Sequence, residues 1–479
     1  MKEKGLLQSS FLMVTARILS AGGSFVLFWI ISQNNVAQLG AFRTIFIFFL
    51  VCDFIPLLGM HQYIIREISL RPHQGREIFS SALLFTGLTG LFVISALVAT
   101  ALWGNYSQEV SSGLFIIALS IPATGIVLCC QSVLVAAGDG ASFGLYQGGE
   151  VIIRTLISLI VFLVTPDILS IFYCFILVRW LSLLPYLKKI QPILSHGKWG
   201  YDLAFTREFL HQVPAFAGIL LFFLCLRFSP QLMVPLMRGD VSAGYFAIIY
   251  QFLDLLLLIP TALTINLMPM LTSRAHHSID ELTATLMQTM KLMTALLLPT
   301  VLFVSIKAKP IIEFIFGPKY EPAEVLLSIT IGAALIMTWD LIFSTAMIAA
   351  KKQKTDLLTL AISSGTMVLL LYPLILYYDI KGAAIAFMAG STVLILTRFL
   401  LFSITISRFN PIRATWRYFL AGSGMAMVLF FTNQNLFLSI VMAIGFYGGI
   451  LFLLGSLKQA EINDLLIIFK KEESSKVAI

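Results

Sequence analysis

Phe79-Ser-Ser-Ala-Leu-Leu-Phe-Thr-Gly-Leu-Thr-Gly-Leu-Phe-Val-Ile-Ser-Ala-Leu-Val-Ala-Thr-Ala-Leu102 runs for 24 residues without a charged side chain. As a helix it is about 36 Å long, more than the roughly 30 Å of a bilayer's hydrocarbon core. Comparable blocks recur along the chain, at 6–31, 37–60, 79–102, 112–136, 146–165, 168–187, 210–234, 243–270, 292–312, 323–349, 357–378, 382–404, 417–432 and 435–457. Inside lipid every backbone N–H and C=O needs an internal partner. A helix supplies it within one segment, whereas a barrel would show short alternating strands. No such alternation occurs, and the sequence predicts an all-α, polytopic membrane protein of about 14 transmembrane helices.

Composition agrees. Of 479 residues 58% are hydrophobic and 12% charged, against about a quarter charged in soluble domains, and the mean hydropathy is +0.93. The net charge of +8 reflects orientation and contact with anionic lipid rather than nucleic acid, for which no role is assigned. The five cysteines, Cys52, Cys129, Cys130, Cys174 and Cys225, sit in apolar blocks without metal-ligand spacing and read as packing residues. The first block is too long for a signal-peptide core and is kept as the first span.

An even number of spans puts both termini on one side. Basic residues of the breaks then divide about 21 on the terminus side against 5 opposite, Arg238, Lys307, Lys309, Lys319 and Lys381. Positively charged loops stay in the cytoplasm, so both termini are expected there. The longest loops, after spans 6 and 8, are about twenty residues each and too short to fold alone. The tail from Lys458 mixes Leu465, Leu466, Ile467, Ile468 and Phe469 with Lys470 and Lys471, a pattern for a helix lying on the inner leaflet.

Span 2 opens Val36-Ala-Gln-Leu-Gly40-Ala-Phe42 and reaches Pro56; span 8 opens Val241-Ser-Ala-Gly244-Tyr-Phe246 and reaches Pro260. Gly, Phe and Pro keep one spacing, with six spans between the copies, the signature of two pseudo-symmetric six-helix lobes plus two extra C-terminal helices. The expected division is an N-lobe at 1–190, a cytoplasmic linker at 191–209, a C-lobe at 210–406, helices 13 and 14 at 407–457 and a cytoplasmic tail at 458–479.

A charge in hydrocarbon costs roughly 2.5 kcal/mol or more and needs a reason. Those inside the spans are Arg17, Arg43, Asp53, Glu150, Arg154, Arg179, Arg227, Asp254, Asp340 and Arg398, a surplus of about two positive charges that an enclosed anion would satisfy. Arg17 lies roughly 16 Å into span 1, near mid-membrane and at a depth from which it can reach Asp53. Guanidinium forks suit bidentate phosphate contact. Glu150 and Arg154, four apart, read as an internal salt bridge, and Arg398 as a side chain snorkelling to the inner interface. The remaining charges fit either cavity lining or structural pairing. Gly22-Gly23, Gly148-Gly149 and Gly448-Gly449 suit close helix packing or hinges. Pro56, Pro122, Pro214, Pro260 and Pro299 are candidate helix breaks. His276-His277 has no companion ligands, so no metal site is expected, and no nucleotide-binding, HExxH or serine-elbow motif occurs in context. No cofactor is expected.

Several stretches together resemble the polysaccharide-transporter branch of the multidrug/oligosaccharidyl-lipid/polysaccharide exporter superfamily, which includes the Wzx-type O-antigen flippases. They are Leu39-Gly-Ala-Phe-Arg43, Asp53-Phe-Ile-Pro-Leu-Leu-Gly59 with Ile65-Arg66-Glu67, Gly244-Tyr-Phe, Phe314-Ile-Phe-Gly317-Pro-Lys-Tyr320-Glu-Pro-Ala323 and Ala349-Ala-Lys351. The resemblance implies two lobes around a cationic cavity that moves an undecaprenyl-diphosphate-linked oligosaccharide between leaflets by alternating access. It also implies Arg17, Arg43 and Arg227 as substrate-binding cavity residues, and Asp53, Asp254 and Asp340 as candidates for ion coupling. Expected partners are the lipid-linked oligosaccharide, membrane lipids, and a polysaccharide polymerase with its chain-length regulator, in the bacterial cytoplasmic (inner) membrane.

The rivals are a cation-coupled drug exporter, which favours acidic and aromatic cavity residues, and a membrane polysaccharide polymerase or ligase, which needs a long external loop. The arginine surplus and the short external loops argue against each, and a transporter rather than an enzyme is expected. The orientation is checked directly: in intact cells a membrane-impermeant maleimide labels Lys381→Cys and spares Lys352→Cys until the membrane is opened, and the opposite pattern inverts the topology.

Overall fold

The computed structural model describes residues 21–194, 200, 203–408, 410–432 and 435–456. Arg17 and the tail from Lys458 lie outside them. All regular structure among the described residues is helical: α1 (21–34), α2 (Val36–Phe54), α3 (His61–Leu70), α4 (Gly75–Trp103), α5 (Gln108–Ala118), α6 (Ile121–Ala136), α7 (Gly140–Val164), α8 (Ile168–Ile193), α9 (Leu203–His277), α10 (Ile279–Ile306), α11 (Ala308–Phe316), α12 (Ala323–Thr330), α13 (Ala333–Ala349), α14 (Gln353–Thr405), α15 (Pro411–Phe431) and α16 (Leu436–Leu453).

Among the described residues nine helices are long and apolar enough to cross a membrane, ten if α5 and α6, bent by 48°, form one span. Two of the nine are double. Gly239 (φ 75°, ψ −179°) divides α9 and Asp379 (φ 56°, ψ −143°) divides α14. The first conformation is open to glycine because it lacks a Cβ; the second is strained for aspartate. With these breaks, α15 and α1, the fourteen-span order of the sequence is present.

Small residues share the buried helix faces with large apolar ones, and large apolar residues also cover the outer faces. On α4 the buried face carries Gly75, Ser81, Ala82, Thr86, Gly90 and Ala101 among its members, while Leu88, Leu91, Phe92 and Leu102 are exposed. Small residues let helices approach, and large apolar ones meet lipid.

Prolines act unequally. Pro56 ends α2: the chain passes through a 3₁₀ turn at Ile55–Leu57 and left-handed Leu58 and Gly59 before α3. The Pro56 carbonyl, which has lost its helical partner, accepts from Thr89 Oγ1 at 2.6 Å. Pro122 stands in the first turn of α6, just past the bend, whereas Pro299 lies within unbroken α10.

One loop expected from sequence is not a loop. The stretch between spans 8 and 9 is helical up to His277 and again from Ile279, leaving Ser278 alone between α9 and α10. The Ser278 side chain accepts from the Glu281 N–H at 3.0 Å, and Asp280 and Glu281 occupy the first turn. Ser-x-x-Glu is a helix-start pattern that outweighs the local polarity.

The chain divides into two compact units, Met1–Ala247 and Ile248–Ile479. In the first, α2 packs on α5, α4 on α5 and α6, and α7 on α8. The start of the helix after Gly239 belongs to this unit. A Cβ on Gly40 would strike the Asp240 carbonyl and the Gly244 N, and one on Gly244 the Val36 carbonyl. The two helices of the internal echo thus cross with each glycine against the other helix's main chain. In the second unit α13 packs on α14, and α15 and α16 pack on each other and on α10. Tyr447 Oη donates to the Ala295 carbonyl at 3.2 Å and Lys307 Nζ to the Thr432 carbonyl at 2.8 Å, fastening the last two helices to α10.

Gly40→Ala and Gly244→Ala should each destabilise the purified protein by about 1–3 kcal/mol through overpacking and lower its unfolding temperature. Gly87→Ala, whose Cβ meets nothing within 4 Å, should leave it unchanged or raise it.

Candidate functional site

Most charges of the first unit's spans gather at one cluster. Asp53, in the last turn of α2, receives Arg179 Nη2 of α8 on both carboxylate oxygens, at 3.0 and 3.1 Å. Arg179 Nε stands 3.0 Å from Glu150 Oε1 of α7, an ion pair off the hydrogen-bond axis. The fourth member, Arg154, is one turn beyond Glu150, but its guanidinium lies 5.1 Å from the Phe49 ring centroid and 4.5 Å from that of Phe175. Glu150 therefore pairs with Arg179 across helices rather than with Arg154 along one helix. A guanidinium against ring faces keeps electrostatic company without a carboxylate. Two acids and two arginines make the cluster neutral. Asp53 is its most open member, with its side chain 25% exposed against 8% for Arg179.

Arg43, on α2, is 5% exposed and donates from Nε to Gln231 Oε1 of α9 at 3.0 Å. Gln231 stands one helical turn, about 6 Å, from Arg227 on the same helix, and its Nε2 reaches the Arg227 carbonyl at 3.5 Å. Gln231, a neutral amide with no signal in the sequence, thus links the Arg43 side chain to the Arg227 main chain. Phenyl rings accompany both: Phe46 is 5.9 Å from the Arg43 guanidinium and Phe228 5.9 Å from that of Arg227.

In the second unit Arg398 is 1% exposed and does not snorkel. Its Nε is 2.6 Å from Asp340 Oδ1 of α13, and its Nη1 donates to Asp356 Oδ1 at the start of α14. One guanidinium thus ties both parts of α14 to α13, and the trio carries one net negative charge. Asp356 was missed because it follows the Lys351, Lys352 and Lys354 run and reads as a loop residue. Asp254 is half-buried on the second part of α9. Arg17 is outside the described residues; where its depth suggested a partner for Asp53, Arg179 fills that place.

Carboxylates hold Arg179 and Arg398, and ring faces flank Arg154. Arg43 is bonded to Gln231, and Arg227 stands one turn from Gln231 on α9; both carry guanidinium groups of the kind that recognise phosphate.

A helical membrane-transporter fold of this order has solved counterparts. The inward closed lipid II flippase MurJ superposes with a TM-score of 0.74 at 16% identity, covering 95% of this chain and 100% of its own. An inward-facing multidrug resistance MATE transporter of the MOP superfamily gives 0.58 at 13% identity, covering 82% of this chain and 94% of its own. The D35N mutant of the Vibrio cholerae MATE transporter VcmN gives 0.56 at 15%, covering 85% and 98%. The fold is therefore that of the lipid II flippase and MATE transporters. No family model and no curated protein matches the chain by sequence.

Arg398→Leu strands two carboxylates beside each other and should destabilise the protein by about 3–5 kcal/mol, the usual loss when one partner of a buried pair is removed. Adding Asp340→Asn and Asp356→Asn should recover part of that loss in thermal unfolding, because the effects of residues in one network are not additive.

Proposed function

We propose that this protein is a flippase that carries an undecaprenyl-diphosphate-linked oligosaccharide, the repeat unit of an O-antigen, capsule or exopolysaccharide, from the inner to the outer leaflet by alternating access. The observation that carries this reading is the likeness to the lipid II flippase: TM-score 0.74 over 95% of the chain, against 0.58 and 0.56 over 82% and 85% for the two MATE transporters. The physical task fits. A large polar head must cross while its lipid tail stays in the bilayer, so helices that open a polar cleft suffice and no covalent step is required.

In this reading Arg43 and Arg227 hold the diphosphate, with Gln231 fixing the Arg43 fork, and Arg17 joins them. Two charge-delocalised guanidinium groups on phosphate give direction and affinity together. Asp53, Asp254 and Asp340 are assigned to ion coupling. Asp53, the most open member of its cluster, would exchange Arg179 for a cation as the lobes at 1–190 and 210–406 rock. The membrane is the bacterial cytoplasmic one, with both termini inside. The polymerase and chain-length regulator that use the delivered unit are the proposed partners.

A second reading, a cation-coupled drug exporter, draws on the MATE likeness and on the carboxylate pairs Asp53/Glu150 and Asp340/Asp356. Liposomes holding the purified protein separate the two. Protein-dependent movement of a labelled undecaprenyl-diphosphate oligosaccharide, falling at least about tenfold in Arg43→Ala and Arg227→Ala with folding intact, is the expected result; about 1.4 kcal/mol per lost contact suffices for it. Export of a cationic dye under an imposed ion gradient, with no movement of any glycan lipid tested, would replace the flippase by the exporter.

A further inference from the structure

At one end of the last two helices the second unit holds a cavity of about 220 Å³ between α10, α15 and the turn that follows α16, with Lys291, Arg413, Trp416, Arg417, Tyr418 and Ser456 among its seven lining residues. It is smaller than the roughly 300–1,000 Å³ of a site for a drug-sized ligand, and its size suits one head group. Three of the seven are cationic. Among the described residues no carboxylate stands within ion-pair distance of Lys291 or Arg413.

The cavity is built rather than incidental. Gly455 (φ 70°) closes α16: its N–H bonds to the Phe452 carbonyl and the Ser456 N–H to that of Leu451. This paired closure fixes the chain just past the helix. It holds Ser456 at 3% exposure, with its Oγ buried and, among the described residues, without a hydrogen-bond partner. Leaving a buried hydroxyl unpaired is costly, and an acceptor in the cavity would relieve that cost. On the facing side Arg413 is in the first turn of α15. Asn410 Oδ1 already takes the Ile412 and Arg413 N–H groups, at 3.0 and 3.2 Å, so the donors turned to a ligand are side chains. The positive end of the α15 dipole adds to their field.

Lys291, Arg413, Arg417 and Ser456 all fall at the level where α10, α15 and α16 meet the face expected to carry the termini. Trp416 is 45% exposed, and Phe419 and Leu420, one turn further into the span, are 42% and 49% exposed. A polar pocket continued by an aromatic and aliphatic wall matches a head group with chains attached better than a soluble anion; interfacial tryptophan sits at that depth. We propose that this cavity binds the phosphate of an anionic lipid of the terminus-side leaflet, with Lys291, Arg413 and Arg417 as the charged contacts and Ser456 Oγ as a donor. The site is separate from the Arg43, Gln231 and Arg227 group, and its assignment does not depend on the cargo.

The test uses the delipidated full-length protein in detergent, titrated with phosphatidylglycerol, phosphatidylcholine or inorganic phosphate and read by native mass spectrometry and thermal unfolding. Phosphatidylglycerol should bind best and raise the unfolding temperature. Each charge removed should weaken it roughly fivefold, so Lys291→Gln with Arg413→Gln should weaken it about 25-fold, and Arg413→Lys should keep most of the binding. Arg413→Gln alone alters an exposed side chain, so it serves if the double variant does not fold. Equal retention of phosphatidylglycerol by wild type and variants overturns the proposal. Binding of inorganic phosphate as tight as that of the lipid, with the same dependence on Lys291 and Arg413, overturns it in favour of a soluble anion.

Discussion

A guanidinium in hydrocarbon has no water to fall back on, and the helices of each unit are arranged around that cost. In the first unit Arg179 reaches Asp53 on α2 and Glu150 on α7 from its own place on α8. In the second, Arg398 joins Asp340 on α13 to Asp356 at the opposite end of its own helix pair. Each arginine therefore sets the mutual register of several spans, a task that greasy contacts perform poorly when the surroundings are equally apolar. Such pairs add little net stability compared with a well-packed apolar substitute; what they supply is a penalty for every arrangement that separates the partners.

The spans were legible because bilayer thickness imposes a length on each, and only backbone chemistry and hydropathy are needed to read it. The breaks were legible less evenly. Pro56 shows its effect in the sequence; the break at Asp379 falls between the predicted spans 357–378 and 382–404, but nothing local announces that an aspartate will take a positive φ there. Ser278 was readable in principle: the Ser-x-x-Glu pattern is present, but the polar run around it suggested a loop.

The candidate site was legible in kind and not in detail. Arginine inside a span is visible in any sequence, yet its partner lies wherever the fold puts it: Asp53 and Arg179 are 126 positions apart, Arg43 and Gln231 188. Glu150 and Arg154 illustrate the reverse error, a local spacing that fits an ion pair and is overruled by a better partner on the next helix. Gln231 carried no signal at all, because a neutral amide in a span draws no attention until a guanidinium is found on it.

The crossing of Gly40 and Gly244 has a consequence for how this protein can change over generations. Most tight contacts between side chains tolerate drift, since enlarging one residue is offset by shrinking its neighbour. Here the nearest atom each glycine meets is main chain, the Asp240 and Val36 carbonyls, and main chain has nothing to shrink. No second-site substitution of a side chain rescues an alanine at either position, so the two sites are closed to ordinary compensation, and the route left to variation is to move whole helices apart.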